Sequence, residues 1–206
     1  ELVNGVETDR LVVKSDYALH QPPRLIFVGR LHEQKGIDVL LKAFRQLIER
    51  DSTHSIRLQM LGDGPLRDCL LHLADGLGIV HRVEFLGQTD QVLERLQQAD
   101  IFVLPSRAEG ISNALLEAMG CGLPVAGYAN EMWAPMAAAS GGGWAVPFGD
   151  TAALARRIAT LTPAEVDAAG AAALTFARAH DFRTTFAGRM AHLAAVAQRT
   201  MRSRGS

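Results

Sequence analysis

Between its two breakers, the run Asp100-Ile101-Phe102-Val103-Leu104-Pro105 is apolar at every position, and this constrains the fold more than any other feature. A strand with one wet face alternates apolar and polar residues. A continuous apolar run has both faces buried, as in a parallel sheet covered by helices on each side. The next residues agree. A polar, glycine-containing loop leads to Ala114, Leu115, Leu116, Ala118 and Met119 at helical spacing. Ser112 is placed as the N-cap of that helix, and Gly120 and Gly122 as its stop. The unit is strand, loop, helix.

The unit recurs along the chain. Residues 24–29 follow Pro22-Pro23 as a strand, and 37–50 carry Ile37, Leu40, Leu41, Phe44, Leu47 and Ile48 at helical spacing. Residues 55–61 form a strand ended by the tight turn Gly62-Asp63-Gly64-Pro65, with Pro65 at the first position of a helix to about residue 77. Residues 82–87 and 91–99 are the next strand and helix, joined by Gln88-Thr89-Asp90. Residues 123–128 form a strand entered through Pro124. Residues 141–150 supply a short last one, with Asp150 or Thr151 as the cap of a helix. From there to about residue 200 the chain is alanine-rich and helical, with breaks near Leu161-Thr162-Pro163 and His180-Asp181-Phe182. About six strands alternating with helices predict a Rossmann-like, doubly wound parallel sheet with helices on both faces.

Composition excludes several functions. The chain has 206 residues, 48% of them hydrophobic, which is enough for a full core. A net charge of −1 without a basic run argues against a nucleic-acid partner. Cys69 and Cys121 form no C-x-x-C pair and read as small, buried or half-buried residues of a reduced compartment. No run approaches a membrane span in length and no signal-peptide pattern opens the chain.

The chemistry sits in the loops. In an open α/β sheet, ligands bind at the carboxyl ends of the strands, and a helix start there offers amides and a positive dipole end to a phosphate. Glu109 lies in one such loop. Glu117 lies a turn or so into the next helix and reaches over the same crevice. Two carboxylates flanking a phosphate cradle suit a nucleotide sugar. Arg30 and Lys35 occupy the loop after the first strand, where fixed cations would neutralise a departing diphosphate without metal. No D-x-D pair is present. Each of these residues taken singly is an ordinary exposed charge; His32 receives no role.

Glu109 and Glu117, within E-G-x-x-x-x-x-L-E-A-M, resemble the paired-glutamate motif of retaining glycosyltransferases of the GT-B fold, especially glycosyltransferase family 4. Arg30 and Lys35 match the family's G-R-x-x-x-x-K-G segment, Gly62-Asp63-Gly64-Pro65 its G-D-G-P turn, and 141–150 its G-G-L-L-V-P-P-G-D. The opening around Asn4-Gly5 resembles the segment with which these enzymes enter their second domain. The resemblance covers nearly the whole chain, to about residue 160. Ile111 stands where an aromatic is frequent, and Ser112-Asn113 where glycine or proline is frequent. Ala129 to Pro135 replaces the family's G-G-x-P-E stretch, so no role is carried over there.

The resemblance implies the C-terminal, donor-binding half of a hexosyltransferase using a UDP- or GDP-sugar as substrate, with no cofactor and no metal. It implies catalytic roles for Arg30, Lys35 and Glu109, with Glu109 on the donor sugar and Glu117 on the ribose. Gly29, Gly110, Ile111, Ser112 and Asn113 complete the substrate site. Thr89 borders the base, although that loop is equally a plain βα connection on sequence. The expected organisation is an interdomain segment over 1–20, the nucleotide-sugar domain over 21–160, helices packing on or crossing from it over 161–200, and a patternless tail over 201–206. The acceptor would be a glycan, lipid or small molecule held by a missing N-terminal domain, without which this half is inactive. Localisation would be cytoplasmic, or at the inner membrane face through that missing domain. Other readings of the same sheet are a nucleotide-sugar 2-epimerase-like enzyme and a non-catalytic nucleotide-binding or interaction module. A dinucleotide dehydrogenase is disfavoured, since no G-x-G-x-x-G follows the first strand.

Overall fold

The computed structural model describes residues 13, 19–20, 23–50, 56–108 and 112–180. Six strands, β1 (Arg24–Val28), β2 (Arg57–Leu61), β3 (Val83–Gly87), β4 (Ile101–Leu104), β5 (Val125–Tyr128) and β6 (Gly143–Val146), form one sheet. Every pairing is parallel, in the order β3-β2-β1-β4-β5-β6. Among the described residues, seven α-helices connect and cover it: α1 (Ile37–Arg50), α2 (Arg67–Gly76), α3 (Val92–Gln98), α4 (Asn113–Gly120), α5 (Trp133–Ser140), α6 (Thr151–Ala159) and α7 (Pro163–Ala179). The doubly wound sheet expected from the alternation is the observed architecture.

The continuous apolar strands divide their residues between two cores. Leu25, Phe27, Ile101, Val103, Ala126 and Tyr128 face α1, α2 and α6, joining Leu40, Leu41, Phe44 and Leu47 of α1 and Leu154, Ala155 and Ile158 of α6. Ile26, Phe102, Leu104 and Val125 point the other way, toward Leu96, Leu115, Met119, Trp133 and the small residues Ala173 and Ala177 of α7. Each fully buried leucine or phenylalanine contributes about 1.5–3 kcal/mol, so a polar residue in either register would be costly. At the amino edge, buried Asp100 accepts from the Arg24 amide at 2.7 Å and meets His20 Nδ1 at 2.8 Å, tying β4 to the start of β1.

Some boundaries differ from expectation. Pro65 does not open α2. The helix starts at Arg67, with Leu66 at the cap position, because residues 62–66 are used in packing against the β1–α1 loop: Leu31 N donates to Asp63 O (3.0 Å) and Leu66 N to Leu31 O (3.2 Å). Gly120 lies inside α4, and Gly122, at φ 83°, makes the turn that ends it. Residues 133–140, to which the sequence pattern assigns no element, form α5; Pro135 is its third residue, where a missing amide costs nothing. Cys121 is buried as expected, but Cys69 is exposed, since it lies on the outer side of α2. The segment around Asn4-Gly5, residues 109–111, the break at Asp181-Phe182 and the tail 201–206 lie outside the described residues.

Candidate functional site

β1 and β4 are sequence-distant neighbours at the centre of the sheet. From β1 the chain proceeds outward to β2 and β3, and from β4 the opposite way. Their carboxyl ends therefore flank the crevice left where the winding reverses, the position at which such sheets bind ligands. Every described residue of the expected site, Thr89 excepted, lies in the two segments that leave these strands or in the helix α4 that follows the second.

The first segment starts at Gly29, whose amide donates to Leu61 O at 3.0 Å. A β-carbon on Gly29 would lie 3.8 Å from Lys35 Cε, so the lysine stem packs beside this glycine. Arg30 is exposed at the loop tip, and its carbonyl accepts from His32 N at 2.9 Å. Among the described residues its guanidinium makes no ion pair. Residues Glu33–Lys35 form a single 3-10 turn, with the His32 ring nitrogen meeting the Gln34 amide at 3.4 Å. Gly36 ends the turn in the left-handed region at φ 61° and ψ 30°. Gly62 supports the loop from beside it: at φ 123°, a β-carbon there would sit 2.1 Å from Gly29 O. The Gly-Asp-Gly turn is thus the wall against which Gly29 and Arg30 are set.

The second segment runs from Pro105 to Ser112. Ser106 is fully buried and its carbonyl accepts from Asn130 Nδ2 at 3.0 Å. Arg107 and Ala108 are bonded to Gln34: Arg107 N donates to Gln34 O at 2.9 Å and Gln34 Nε2 to Ala108 O at 2.9 Å. Glu109, Gly110 and Ile111 lie outside the described residues. Ser112 caps α4 as expected, with extended backbone and Oγ accepting from Leu115 N at 3.3 Å. The amides of Asn113 and Ala114 in the same turn have no intrahelical acceptor and are the donors an anion would use.

Glu117 is half-buried in the middle of α4, between Leu116 and Ala118, which are both buried. Burial raises its carboxyl above the ordinary range. One turn on, burial, with the Glu117 charge adding to it, pushes the Cys121 thiol up to about 12. Thr89 follows β3 at the same edge, separated from β1 by β2. Its Oγ1 accepts from Gln91 N at 3.1 Å, so its side chain is committed to turning the chain into α3. Among the described residues no group of three His, Cys, Asp or Glu side chains gathers as a metal site. None of their helices is long and apolar enough to cross a membrane.

The structure places Gly29, Arg30 and Lys35 in the segment that leaves β1, and Ser112, Asn113 and Glu117 at the start and in the body of the helix that follows the adjacent β4, with Thr89 two strands away. Sequence reasoning did not single out Gln34, Arg107 or Asn130. Gln34 and Arg107 stand beside motif residues without chemistry of their own, and only Asn130 carried a signal, as a residue type that turns and caps helices. Its Oδ1 accepts from the Met132 and Trp133 amides at 3.1 and 2.7 Å at the start of α5.

Known proteins of the same shape share this arrangement of strands. The family model described as "Glycosyl transferases group 1" matches residues 22–163. The putative colanic acid biosynthesis glycosyltransferase WcaL of Escherichia coli K12 is 34% identical over 171 residues, covering 79% of this chain and 42% of WcaL. The chain thus spans about two fifths of that relative's length. The crystal structure of WaaG, a glycosyltransferase involved in lipopolysaccharide biosynthesis, superposes with a TM-score of 0.73 at 26% identity, over 88% of this chain and 52% of WaaG. Anabaena HepE, solved with UDP and glucose, superposes with a TM-score of 0.71 at 22% identity, over 83% of this chain and 48% of HepE.

Proposed function

The chain belongs to the glycosyl transferases group 1 family, and from this premise we propose that it is the donor-binding half of a retaining glycosyltransferase. The donor is a UDP- or GDP-linked hexose, and the acceptor a glycan, lipid or small molecule held by an N-terminal domain beyond this chain. The observation that carries the reading is the convergence at the β1/β4 edge. The segment with Arg30 and Lys35 leaves β1 there, and the segment leading to the capped start of α4 and to half-buried Glu117 leaves the adjacent β4.

Each group has a separate task. Arg30 and Lys35, with the Asn113 and Ala114 amides, hold the diphosphate and stabilise the charge that grows on it as the sugar–phosphate bond breaks. Because these donors are fixed before the reaction, no metal is needed for the departing group. Glu117 accepts from the ribose hydroxyls, Glu109 orients the donor sugar, and the backbone at Thr89 borders the base. Reaction takes place in a cleft closed by the missing domain, so this half binds donor without transferring sugar. The whole enzyme works in the cytoplasm, or at the inner membrane face through its other domain.

Calorimetric titration of the chain with uridine and guanosine diphosphates, in chelator and with added magnesium, tests the reading. One of the two should bind equally in both conditions. Lys35→Ala should weaken it about tenfold to a hundredfold, the loss of one charged hydrogen bond. Failure of both nucleotides to bind, or a strict requirement for magnesium, refutes it.

A further inference from the structure

We infer that Arg107 is a positioning residue which, with Gln34, sets the spacing between the two segments of the diphosphate cradle. The inference rests on the cradle reading above and adds a residue pair to which that reading gives no role. Gln34 immediately precedes Lys35, and it bonds both sides of the Arg107–Ala108 peptide unit, through its carbonyl and its side-chain amide at 2.9 Å each. The Arg107 guanidinium donates back across the crevice to both carboxylate oxygens of Asp38, at 3.2 and 3.3 Å, in the first turn of α1. It also lies 5.2 Å from the centre of the Phe148 ring, which packs edge-on against Tyr128 at 5.5 Å. Asn130 holds the neighbouring Ser106 carbonyl from the β5–α5 loop.

Three successive residues, 106–108, are therefore held from three different loops, on an edge where loops are ordinarily the mobile part of a fold. Burial does not explain the Arg107 contacts, since its side chain is 45% exposed and that of Asp38 is 41% exposed. Exposed ion pairs add little to overall stability. What the contacts change is relative position. They lock the segment carrying Arg30 and Lys35 to the segment leading to the Ser112 helix start, and a diphosphate must reach both at once. Displacement of such groups by even an ångström costs binding and rate steeply.

The test compares Arg107→Met, which removes the guanidinium and with it the Asp38 and Phe148 contacts, with Arg107→Lys and Gln34→Ala. Affinities for the diphosphate that binds wild type and for the monophosphate of the same base are measured by calorimetry, with melting temperature alongside. Arg107→Met should weaken the diphosphate about tenfold. It should change the monophosphate less than about twofold and melting by no more than about 2 °C. Arg107→Lys should fall between, because an ammonium restores the charge opposite Asp38 but not the planar group that lies over Phe148. Arg107→Met combined with Gln34→Ala should lose less than the product of the single losses, because the Asp38 and Ala108 contacts they break join the same two segments. Unchanged diphosphate affinity in Arg107→Met overturns the inference. So does an equal loss of both nucleotides accompanied by a fall in melting temperature, the signature of a merely structural residue. Lys35→Ala on the same scale separates the two readings. If it weakens the diphosphate while Arg107→Met does not, only the positioning role falls; if wild type binds no diphosphate, both fall.

Discussion

Replacing Gly36 by alanine tests whether the two segments at the β1/β4 edge are as close as described. Gly36 sits at φ 61° and ψ 30°, donates its amide to Glu33 O at 3.1 Å, and accepts from the Val39 and Leu40 amides as α1 begins. A β-carbon at this position would lie 2.3 Å from the Pro105 carbonyl oxygen and 3.3 Å from its carbon. The substitution carries two costs. An L-residue in the left-handed region costs about 1–2 kcal/mol. Relieving the contact requires the backbones to separate by roughly 1 Å, since carbon and oxygen need some 3.4 Å, and overpacking of this kind costs about 1–3 kcal/mol. Gly36→Ala should therefore lose about 2–5 kcal/mol, a large share of the 5–15 kcal/mol typical of a domain. Urea unfolding followed by the fluorescence of Trp133 and Trp144 reads the change as a lower midpoint at constant slope. Gly36→Asn separates the terms. Asparagine tolerates the backbone conformation better but keeps the β-carbon, so it should recover only about 1 kcal/mol. Nucleoside diphosphate affinity should fall with stability in both variants, because Gln34 and Lys35 move with the turn. A Gly36→Ala protein within about 0.5 kcal/mol of wild type would show that the Pro105 approach is not tight and would remove the geometric basis for the lock between the loops.

The two cysteines should differ sharply in reactivity. Cys69 is exposed, while the Cys121 thiol is buried and pushed up to about 12. A maleimide at pH 8 should modify one thiol, and the Cys69→Ser protein should resist until unfolded; equally fast labelling of that variant, read by mass spectrometry, would contradict the burial. Acid stability should depend on Glu165. Its carboxyl is lowered from 4.5 to about 2, first by the hydrogen bond from Arg157 (2.7 Å) and then by the Thr162 amide and hydroxyl of the capping box. Because the folded value lies below the unfolded one, the contribution is complete above pH 4.5 and disappears as pH falls through about 2. Glu165→Gln should therefore flatten the fall of melting temperature in that window, and an unchanged slope would deny the linkage.

The sequence by itself determined those features that depend on neighbours a few residues away. Apolar runs without alternation specify strands buried on both faces, which is why 101–104 and 125–128 are central. Ser112 and Asp150 cap their helices because each side chain reaches an amide three residues on. The candidate Arg30, Lys35 and Ser112 were legible for a related reason: each stands at a strand exit or helix start, and the topology class alone sends those to one edge, while Glu117 was read from its spacing to Glu109. Tertiary structure decided what spans long separations. The order of strands places β1 beside β4, and only then do Arg107 and Asp38, 69 residues apart, or Gln34 and Ala108, 74 apart, become partners. No periodicity encodes such a pairing, because a residue pattern reports which face a side chain uses and not which loop it will meet. The same holds for Gly36 and Gly62. In sequence each marks a turn; in the fold, each is a residue whose missing β-carbon lets another segment's carbonyl come within reach.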